Sequence, residues 1–501
     1  MKQRKIFAIL AMVLVLVLSI GVFAACNPDS PEMPVRHPEI DQEAYLAKSQ
    51  SIYDAQFGEF KAAYAKAVVE TTNTSKRYAL MAIAEAKLME SGVFLPSTAQ
   101  GGNYAISKAA PNTISSVLWG NDRERFHNVI VADKLITATD RAAMKAEWAT
   151  MKSENKLGSE YESYVRTYLT SHGYSIKSTY DIGYVSDPQT WDALATSNSE
   201  DSEAIINTYD SLLEYDSLNN LRPALAQSYD VSEDGLTYTF HLREGLTWVD
   251  SQGRKVADLK ADDFVAGFQH MLDAEGGLEF LVQGVVKNAT EYCNGTATIE
   301  EVGVKATDDH TVVYTLTGPK PYFLTMLGYN IFAPMSRSFY ESKGGKFGAD
   351  FNAAAEGYTY GKTQNDIAYC GPYRVTSYAA ENEVVFSKNE SYWNKDGINV
   401  DKITWHYNDG SVATKAYDDV MSGVIDGTGL NSAALQKAKE GTVFGTYHYV
   451  ATPNATSFVN FVNLNRTYYA NMNDETSLVS PKTLEPVSYT HLRAHETEAD
   501  L

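Results

Sequence analysis

Residues 228–250 read SYDVSEDGLTYTFHLREGLTWVD, and this stretch alternates between turn-forming and strand-forming residues. From residue 236 to residue 242 the apolar side chains occupy every second position, which is the period at which a β-strand presents one face. The Glu-Asp-Gly sequence at 233–235 is typical of a tight turn, and Gly235 can adopt the positive φ that such turns need. The stretch therefore predicts a strand with one buried face that follows directly on a turn.

The segments around this strand predict an α/β protein. KADDFVAGFQHMLDA at 260–274 has apolar residues at helical spacing and two aspartates in its first turn, where the helix dipole favours negative charge. DDHTVVYTLTGPKPYFLTML at 308–327 predicts a strand, a Gly-Pro break and a short helix. Strands predominate from residue 176 onward, whereas the apolar spacing of residues 41–175 is mainly helical.

Within residues 41–175 the sequence indicates where individual elements begin and end. A helix is expected to begin at a cap on Ser75 and to end at Gly92, a residue that is free to adopt the left-handed conformation. The following VFLPSTAQGGNYAIS at 93–107 predicts a strand, a glycine-rich loop and a second strand. Packing in a core accounts for these patterns, so no chemistry is assigned to them.

The N-terminus has the pattern of an export signal. A basic start is followed by an almost unbroken apolar run to Phe23 and by two alanines, with Cys26 directly behind them. This arrangement resembles the lipobox of bacterial lipoproteins, which predicts a signal peptide at 1–25 and lipidation of Cys26. The proline-rich residues 26–40 are then a tether that holds a domain off the membrane. The alternative is an ordinary export signal in which the cysteine occurs by chance.

Composition narrows the range of partners and cofactors. With 501 residues, of which 44% are hydrophobic, the chain can form two or more domains with substantial cores. The formal net charge of −21 argues against a nucleic-acid partner, because phosphate contacts need a basic surface. Cys293 and Cys370 have no metal-ligand spacing and do not define a disulfide, so they are predicted to be buried, apolar side chains. No metal, cofactor or catalytic residue is predicted.

Five segments resemble motifs of the extracellular solute-binding proteins of family 5, the oligopeptide, dipeptide and nickel receptors of ABC importers. They follow the family's order: VSDPQTWDAL at 185–194, LRPALAQSYDVSEDGLTYTFHLREGLTWVDSQGRKVADLKADDFVAGFQHML at 221–272, LTGPKPYFLTML at 316–327, YCGPYRVTSYAAENEVVFSKNESYWN at 369–394 and FVNFVNLNRTYYAN at 458–471. One such motif alone would be weak. Because all five occur in order, the chain is identified as a member of this family.

The resemblance implies a two-lobed α/β receptor of the type II periplasmic-binding fold, which closes around its ligand by a hinge motion. The first lobe is expected within 176–485, formed by residues 176–230 and 371–485, with a subdomain inserted at 231–370. The second lobe is expected to be largely missing from this chain.

The resemblance also implies a function. The chain is expected to be the substrate-binding lipoprotein of an ABC importer, anchored at the extracytoplasmic face of the cell membrane. It would capture short peptides and pass them to permease subunits that are driven by cytoplasmic ATPases. In this family main-chain groups bind an extended peptide, which gives affinity with little sequence preference. On the first-lobe side of the cleft we expect these binding residues: Ser186, Asp187, Gln189, Thr190, Tyr329, Asn330, Gly429 and Asn431.

Three alternatives to a peptide receptor stay open. The ligand is another one that the family binds, such as a nickel chelate or an oligosaccharide, or the chain is an extracytoplasmic hydrolase, or it is a surface adhesin. A hydrolase is disfavoured because the sequence has no H-E-x-x-H or G-x-S-x-G motif. The adjacent Asp262 and Asp263 do not form an acid–base pair either, since they lie together at the start of a predicted helix.

Both ends of the chain depart from the family's pattern. RYALMAIAEAKLMESGVFLPSTAQGGNYAIS at 77–107 resembles the piece that normally closes these receptors, so region 41–175 is interpreted as a C-terminal-like segment that precedes the first lobe in a rearranged chain order. The alternative is a separate helical appendage. At the other end, VSYTHLRAHET resembles the translation of a transposase sequencing adaptor. Residues 486–501 are therefore expected to be a sequencing artefact, with the native sequence ending near Glu485.

Overall fold

The structure is a computed structural model that describes residues 42–99, 102–117, 122–452 and 457–461. These residues form two compact units: a small unit of 42–99 and 457–461, and a large unit of 102–117 and 122–452. The predicted signal peptide at 1–25, the tether with Cys26 and the tail at 486–501 lie outside the described residues. Among the described helices, none is both long enough and apolar enough to cross a bilayer.

The described elements confirm the predicted α/β class. The helices are α1 (Gln42–Val68), α2 (Thr74–Glu90), α3 (Ala138–Ser153), α4 (Gly158–Ser171), α5 (Ser199–Ile205), α6 (Ala261–Ala274), α7 (Ala289–Cys293), α8 (Phe323–Met326), α9 (Arg337–Ser342), α10 (Lys415–Ser422), α11 (Ser432–Glu440) and α12 (Val443–Tyr447). The strands are β1 (Phe94–Ala99), β2 (Tyr104–Ser107), β3 (Val131–Ala132), β4 (Ile176–Lys177), β5 (Thr179–Tyr184), β6 (Leu213–Tyr215), β7 (Leu221–Pro223), β8 (Ala226–Val231), β9 (Thr237–Leu242), β10 (Thr247–Val249), β11 (Lys255–Asp258), β12 (Val304–Asp308), β13 (Thr311–Thr315), β14 (Tyr373–Ala379), β15 (Glu383–Lys388), β16 (Lys402–Tyr407), β17 (Gly427–Gly429), β18 (Tyr449–Val450) and β19 (Ser457–Phe461).

The small unit contains α1, α2 and a two-stranded antiparallel sheet of β1 and β19. α2 is capped by Asn73 rather than by the predicted Ser75, because the Asn73 side chain accepts a hydrogen bond of 2.9 Å from the backbone N–H of Lys76. Ser75 already lies inside the helix. The helix ends before Gly92, whose φ of +68° confirms the predicted left-handed residue.

The stretch 228–250 forms β8, a turn, β9 and β10, as its sequence predicts. Tyr238, Phe240 and Leu242 are buried on β9, the residues between them are half-buried, and Gly235 has a φ of +67°. β9 lies within an antiparallel sheet of order β12-β13-β9-β8, against which α6 packs. Burying one face of each element gives this part of the large unit its core.

A second four-stranded sheet has the order β14-β15-β16-β5. Its pairs are antiparallel except for β16 and β5, which run parallel. Phe386 and Ile403 contribute to the same buried core as β9 and α6. The parallel pair matters for function because both of its strands end at the same edge of the sheet.

Residues 102–175 are part of the large unit, although they precede the first predicted motif. β2 is the central strand of a three-stranded sheet, between β17 and β18. From α3, Arg141 donates hydrogen bonds of 2.7 Å to the carbonyl oxygens of Ser107 and Ala109. The compact unit therefore begins near residue 101, and the domain limits that the sequence analysis places at 175, 230 and 370 stay predictions.

Buried ion pairs connect this early segment to the rest of the large unit. Lys108 and Lys177 both contact the wholly buried Asp426, with Nζ to oxygen distances of 3.0 and 2.7 Å. The same carboxylate accepts a hydrogen bond of 2.9 Å from the backbone N–H of Asp181 on β5. A buried carboxylate needs such donors, so Asp426 fixes β2, β4 and β5 relative to one another.

A second buried cluster surrounds Asp210, which is wholly buried. Its carboxylate accepts hydrogen bonds from the Tyr392 hydroxyl at 2.9 Å and from the Trp393 indole N–H at 2.7 Å. The guanidinium of Arg125, which is 3% exposed, lies 3.8 Å from the same carboxylate and donates to backbone carbonyls nearby. Residues from two distant parts of the sequence thus depend on this one carboxylate.

Both cysteines of the large unit are free. Cys370 is buried, as the sequence predicts, whereas Cys293 is only half-buried. Burial raises the pKa of each thiol. The thiols are therefore protonated at neutral pH and contribute to packing.

Candidate functional site

The candidate site lies at the edge where β5 and β16 end. The two strands are parallel, with Tyr184 opposite Tyr407, so both chains leave the sheet on the same side. In open α/β sheets ligands bind outside the carboxyl ends of the strands. The segment that leaves β5 at this edge is the predicted binding loop, Ser186 to Thr190. The segment that leaves β16 is anchored beside it, because the Asn408 N–H donates to the Tyr184 carbonyl at 2.9 Å.

Aromatic side chains line this edge. The rings of Tyr184 and Tyr407 have centroids 5.5 Å apart, and those of Trp191 and Tyr378 are 5.3 Å apart in an edge-to-face arrangement. The Tyr184 hydroxyl donates a hydrogen bond of 2.8 Å to Asp187. Burial and this carboxylate raise the pKa of Tyr184 above its ordinary value, so the hydroxyl remains a donor. Tyr184 and Trp191 are buried, whereas Tyr378 and Tyr407 are half-buried, so the edge combines two partly accessible rings with fixed polar groups.

Two carboxylates hold the backbone of the binding loop. Asp187 accepts a hydrogen bond of 2.7 Å from the backbone N–H of Glu381, which sits in the β14–β15 turn with an unusual φ of +52°. Asp201, which is wholly buried, accepts from the backbone N–H groups of Gln189 at 2.6 Å and Thr190 at 3.4 Å. These contacts order the loop before any ligand arrives, which reduces the entropy lost on binding.

The loop presents two polar side chains to solvent. Ser186 and Gln189 are exposed, and within the described residues their side chains make no hydrogen bond. A hydroxyl and a carboxamide can each donate and accept, so they suit a ligand that carries both N–H and C=O groups. No group of His, Cys, Asp and Glu residues in the described part of the chain has the arrangement of a metal site.

Tyr329 and Asn330 lie within or against the core, and their described contacts are with residues outside the loop 186–190. Asn330 is wholly buried, and its amide nitrogen donates to the Ala193 carbonyl at 2.7 Å and to the Ser202 hydroxyl at 3.4 Å. Tyr329 is half-buried against the main core, and burial raises its pKa. The structure therefore gives Asn330 a role in supporting the segment that continues the binding loop, and its role as a ligand contact stays a prediction.

Gly429 lies on β17 and Asn431 directly precedes α11, so both residues lie on elements that do not adjoin the loop 186–190 in the sequence. Gly429 is exposed on β17, opposite Ala105 of β2. Asn431 caps α11, since its side-chain oxygen accepts from the Ala434 N–H at 2.9 Å and its nitrogen donates to the Ala413 carbonyl at 2.7 Å. Both polar atoms of the Asn431 side chain are thus already hydrogen-bonded to backbone groups. Among the described hydrogen bonds, none joins these two residues to the loop at 186–190.

Sequence reasoning missed the residues that shape the edge. Tyr184 and Tyr407 are the last residues of two strands in which apolar and polar residues alternate. Their position at the strand ends was the feature of the sequence that could have identified them. Asp201 gave no signal, because a carboxylate at the start of a helix is typical of ordinary capping. Its hydrogen bonds to the loop become apparent only in three dimensions.

Comparison with known proteins identifies relatives of this chain. At 37% identity over 238 residues it is similar to the oligopeptide-binding protein AmiA of Streptococcus pneumoniae, with 47% of this chain and 34% of that protein covered. At 33% identity over 287 residues it is similar to the oligopeptide-binding protein SarA of Streptococcus gordonii, with 57% and 42% covered. The chain thus spans less than half the length of these relatives.

Solved structures with similar regions include an oligopeptide-binding protein of Borrelia burgdorferi, at 30% identity and a TM-score of 0.42, with 50% of this chain and 46% of that chain covered. Another is the substrate-binding domain of an oligopeptide ABC transporter from Bacillus anthracis, at 28% identity and a TM-score of 0.46, with 53% and 48% covered.

A family model also matches the chain. The model of bacterial extracellular solute-binding proteins, family 5 middle, matches residues 220–477, which include the sheet of β8, β9, β12 and β13 and most of the candidate-site sheet. This match covers more than half of the 501 residues and contains four of the predicted motifs in full. The expected family is therefore confirmed: the chain belongs to the bacterial extracellular solute-binding proteins of family 5.

Proposed function

We propose that this protein is the substrate-binding receptor of an ABC importer, that it captures short peptides, and that it delivers them to permease subunits driven by cytoplasmic ATPases. The observation that carries the proposal is the similarity, at 37% and 33% identity, to two proteins that are both named oligopeptide-binding proteins. Membership of a solute-binding family favours a receptor over a hydrolase or an adhesin.

The geometry of the candidate site supports a peptide ligand. A peptide backbone offers a donor and an acceptor at each residue. The exposed Ser186 and Gln189, on a loop whose backbone is already fixed, provide complementary groups. The half-buried rings of Tyr378 and Tyr407 offer a small apolar surface that does not select one side chain, which suits mixed sequences.

The complete receptor, purified with both of its lobes, is expected to bind short peptides of mixed sequence. Isothermal calorimetry with an equimolar pool of synthetic pentapeptides tests this, with the same pool after acetylation and amidation of the peptide termini as a control for terminal charges. Heat that saturates with the pool supports the proposal. A response to a nickel chelate or to an oligosaccharide, with none to either pool, would move the ligand to another branch of the family.

We further propose that Cys26 anchors the receptor in the membrane at its extracytoplasmic face. A diacylated cysteine carries two acyl chains, which suffice for stable attachment. In a Cys26→Ser variant, most of the protein is therefore expected in the soluble fraction or as an unprocessed precursor. Immunoblots of membrane and soluble fractions measure this, with Cys293→Ser as the matched control that keeps its attachment. Membrane retention of a fully processed Cys26→Ser protein, unchanged from the wild type, rules out the anchor.

A further inference from the structure

A buried histidine connects the binding loop to helix α6. His270 on α6 is wholly buried, and Asp192, two residues after the loop 186–190, is 4% exposed. Their side chains are joined by a hydrogen bond of 2.7 Å between Nε2 of His270 and Oδ2 of Asp192. Neither residue reaches the exposed surface of the candidate site, so the pair acts on that site only through the loop.

The surroundings of His270 define which nitrogen carries the proton. Within the described residues Nδ1 has no hydrogen-bond partner, and aromatic rings enclose the imidazole, the nearest being Tyr340 with a centroid separation of 4.7 Å. A proton on Nδ1 would be buried without an acceptor, which is unfavourable. The hydrogen bonding therefore assigns a proton to Nε2, which donates to Asp192.

Asp192 transmits this constraint to the loop. Its other carboxylate oxygen accepts a hydrogen bond of 3.1 Å from the Leu194 N–H, and its own N–H donates to the Thr190 hydroxyl at 3.0 Å. A buried carboxylate that loses a donor is driven toward water. If the imidazole donor is removed, Asp192 is expected to turn outward, and residues 190–194 move with it.

We propose that His270 is a positioning residue for ligand binding: through Asp192 it holds the loop 186–190 in the conformation that presents Ser186 and Gln189. The inference rests on the proposed peptide-binding function. It adds that a residue on α6, outside the loop, supports the loop that binds the peptide. His270 does not contact the ligand. Instead, it fixes the backbone of the loop whose residues contact the ligand. Such preorganisation raises affinity by lowering the entropy cost of binding.

Hydrogen–deuterium exchange of backbone amides tests the positioning role without any ligand. His270→Phe keeps an aromatic ring of similar size but removes the donor, and the amides of Thr190, Asp192 and Leu194 are expected to exchange about tenfold faster or more. His270→Gln retains a side-chain N–H and is expected to restore most of the protection. The control is Val312→Ala, a buried change on β13 that weakens the core without touching the loop.

The expected pattern is specific. His270→Phe accelerates exchange in residues 190–194 relative to the amides of β9, whereas Val312→Ala, which lies opposite Phe240 of β9, accelerates β9 at least as much as residues 190–194. Equal acceleration of both segments in His270→Phe would mean that His270 is only a core residue and would overturn the proposal. Failure of His270→Gln to restore protection would do the same.

Binding of the pentapeptide pool then separates the two proposals. The affinity of His270→Phe is expected to fall about tenfold while His270→Gln stays within about threefold of the wild type, as for the loss of one ordering hydrogen bond. An unchanged affinity despite a mobile loop would overturn the role in binding. If the wild type itself does not bind the pool, the proposed function fails, and the exchange measurements still decide whether His270 fixes the loop.

Discussion

A variant that lacks residues 27–175 is expected to lose the cooperative fold of the large unit. The deletion removes β2 from between β17 and β18, and it removes Lys108 and Arg125, which pair with the buried Asp426 and Asp210. Asp210 then loses its cation and Asp426 keeps only Lys177. Burying a carboxylate without its cation costs several kcal/mol, and this loss together with that of a central strand is comparable with the whole stability of a domain. Near-ultraviolet circular dichroism and thermal unfolding are expected to show no fixed tertiary structure and no sharp transition.

The matched control is a deletion of residues 27–99 alone, which removes α1, α2 and β1 but leaves every described element of the large unit. This variant is expected to keep a cooperative transition within a few degrees of the full chain, since a large unit with its own core can unfold as one domain. The pair of variants also separates two interpretations of the N-terminal region. If the shorter protein without residues 27–175 still unfolds cooperatively at the original temperature, the region is an appendage.

Substitution of Asp210 by alanine is expected to lower the free energy of unfolding by about 3–5 kcal/mol, the loss typical of breaking a buried ion pair. The change leaves Arg125 buried and deprives the Tyr392 hydroxyl and the Trp393 indole of their acceptor. Each of these donors gave up its hydration on folding, so each becomes unfavourable without a partner. Chemical denaturation monitored by far-ultraviolet circular dichroism measures the difference.

Asp230→Ala is the control for this prediction. Asp230 forms an ion pair of 3.0 Å with His241, but its side chain is 80% exposed. Exposed pairs contribute about 0–1 kcal/mol, so the control is expected to change the unfolding free energy by less than about 1 kcal/mol. A loss of similar size in both variants would contradict the special role given to burial at Asp210.

Local patterns in the sequence predicted local structure well. The strand at 236–242, its turn at Gly235 and the helix that follows at 260–274 are all confirmed, because period and turn chemistry depend only on neighbouring residues. The family also followed from short motifs in order. The one local error, the cap at Ser75, arose because Asn73 competes for the same role two residues earlier.

The candidate site was predicted only in part, and the reason is physical. The loop 186–190 does lie at the shared end of the parallel strands β5 and β16, where an α/β sheet is suited to bind ligands. The sequence could not show that Asn330 is buried against Ala193, that Asp201 holds the loop or that His270 bonds to Asp192, because those contacts join residues that are separated in the chain. Pairing across such separations depends on the packing of the whole unit.

The central position of β2 has a consequence for how the chain acquires its structure. Lys108, directly after β2, and Asp426, directly before β17, are separated by 318 residues, yet they must meet before the three-stranded sheet is complete. Such a topology has a high contact order. Proteins of this kind fold slowly, because the chain between the two contacting residues must lose conformational entropy before the stabilising contacts form. During synthesis β2 would remain an open strand edge until its partners emerge, which exposes the nascent chain to aggregation. Shielding of the N-terminal part of the chain during synthesis would therefore favour correct folding of this protein.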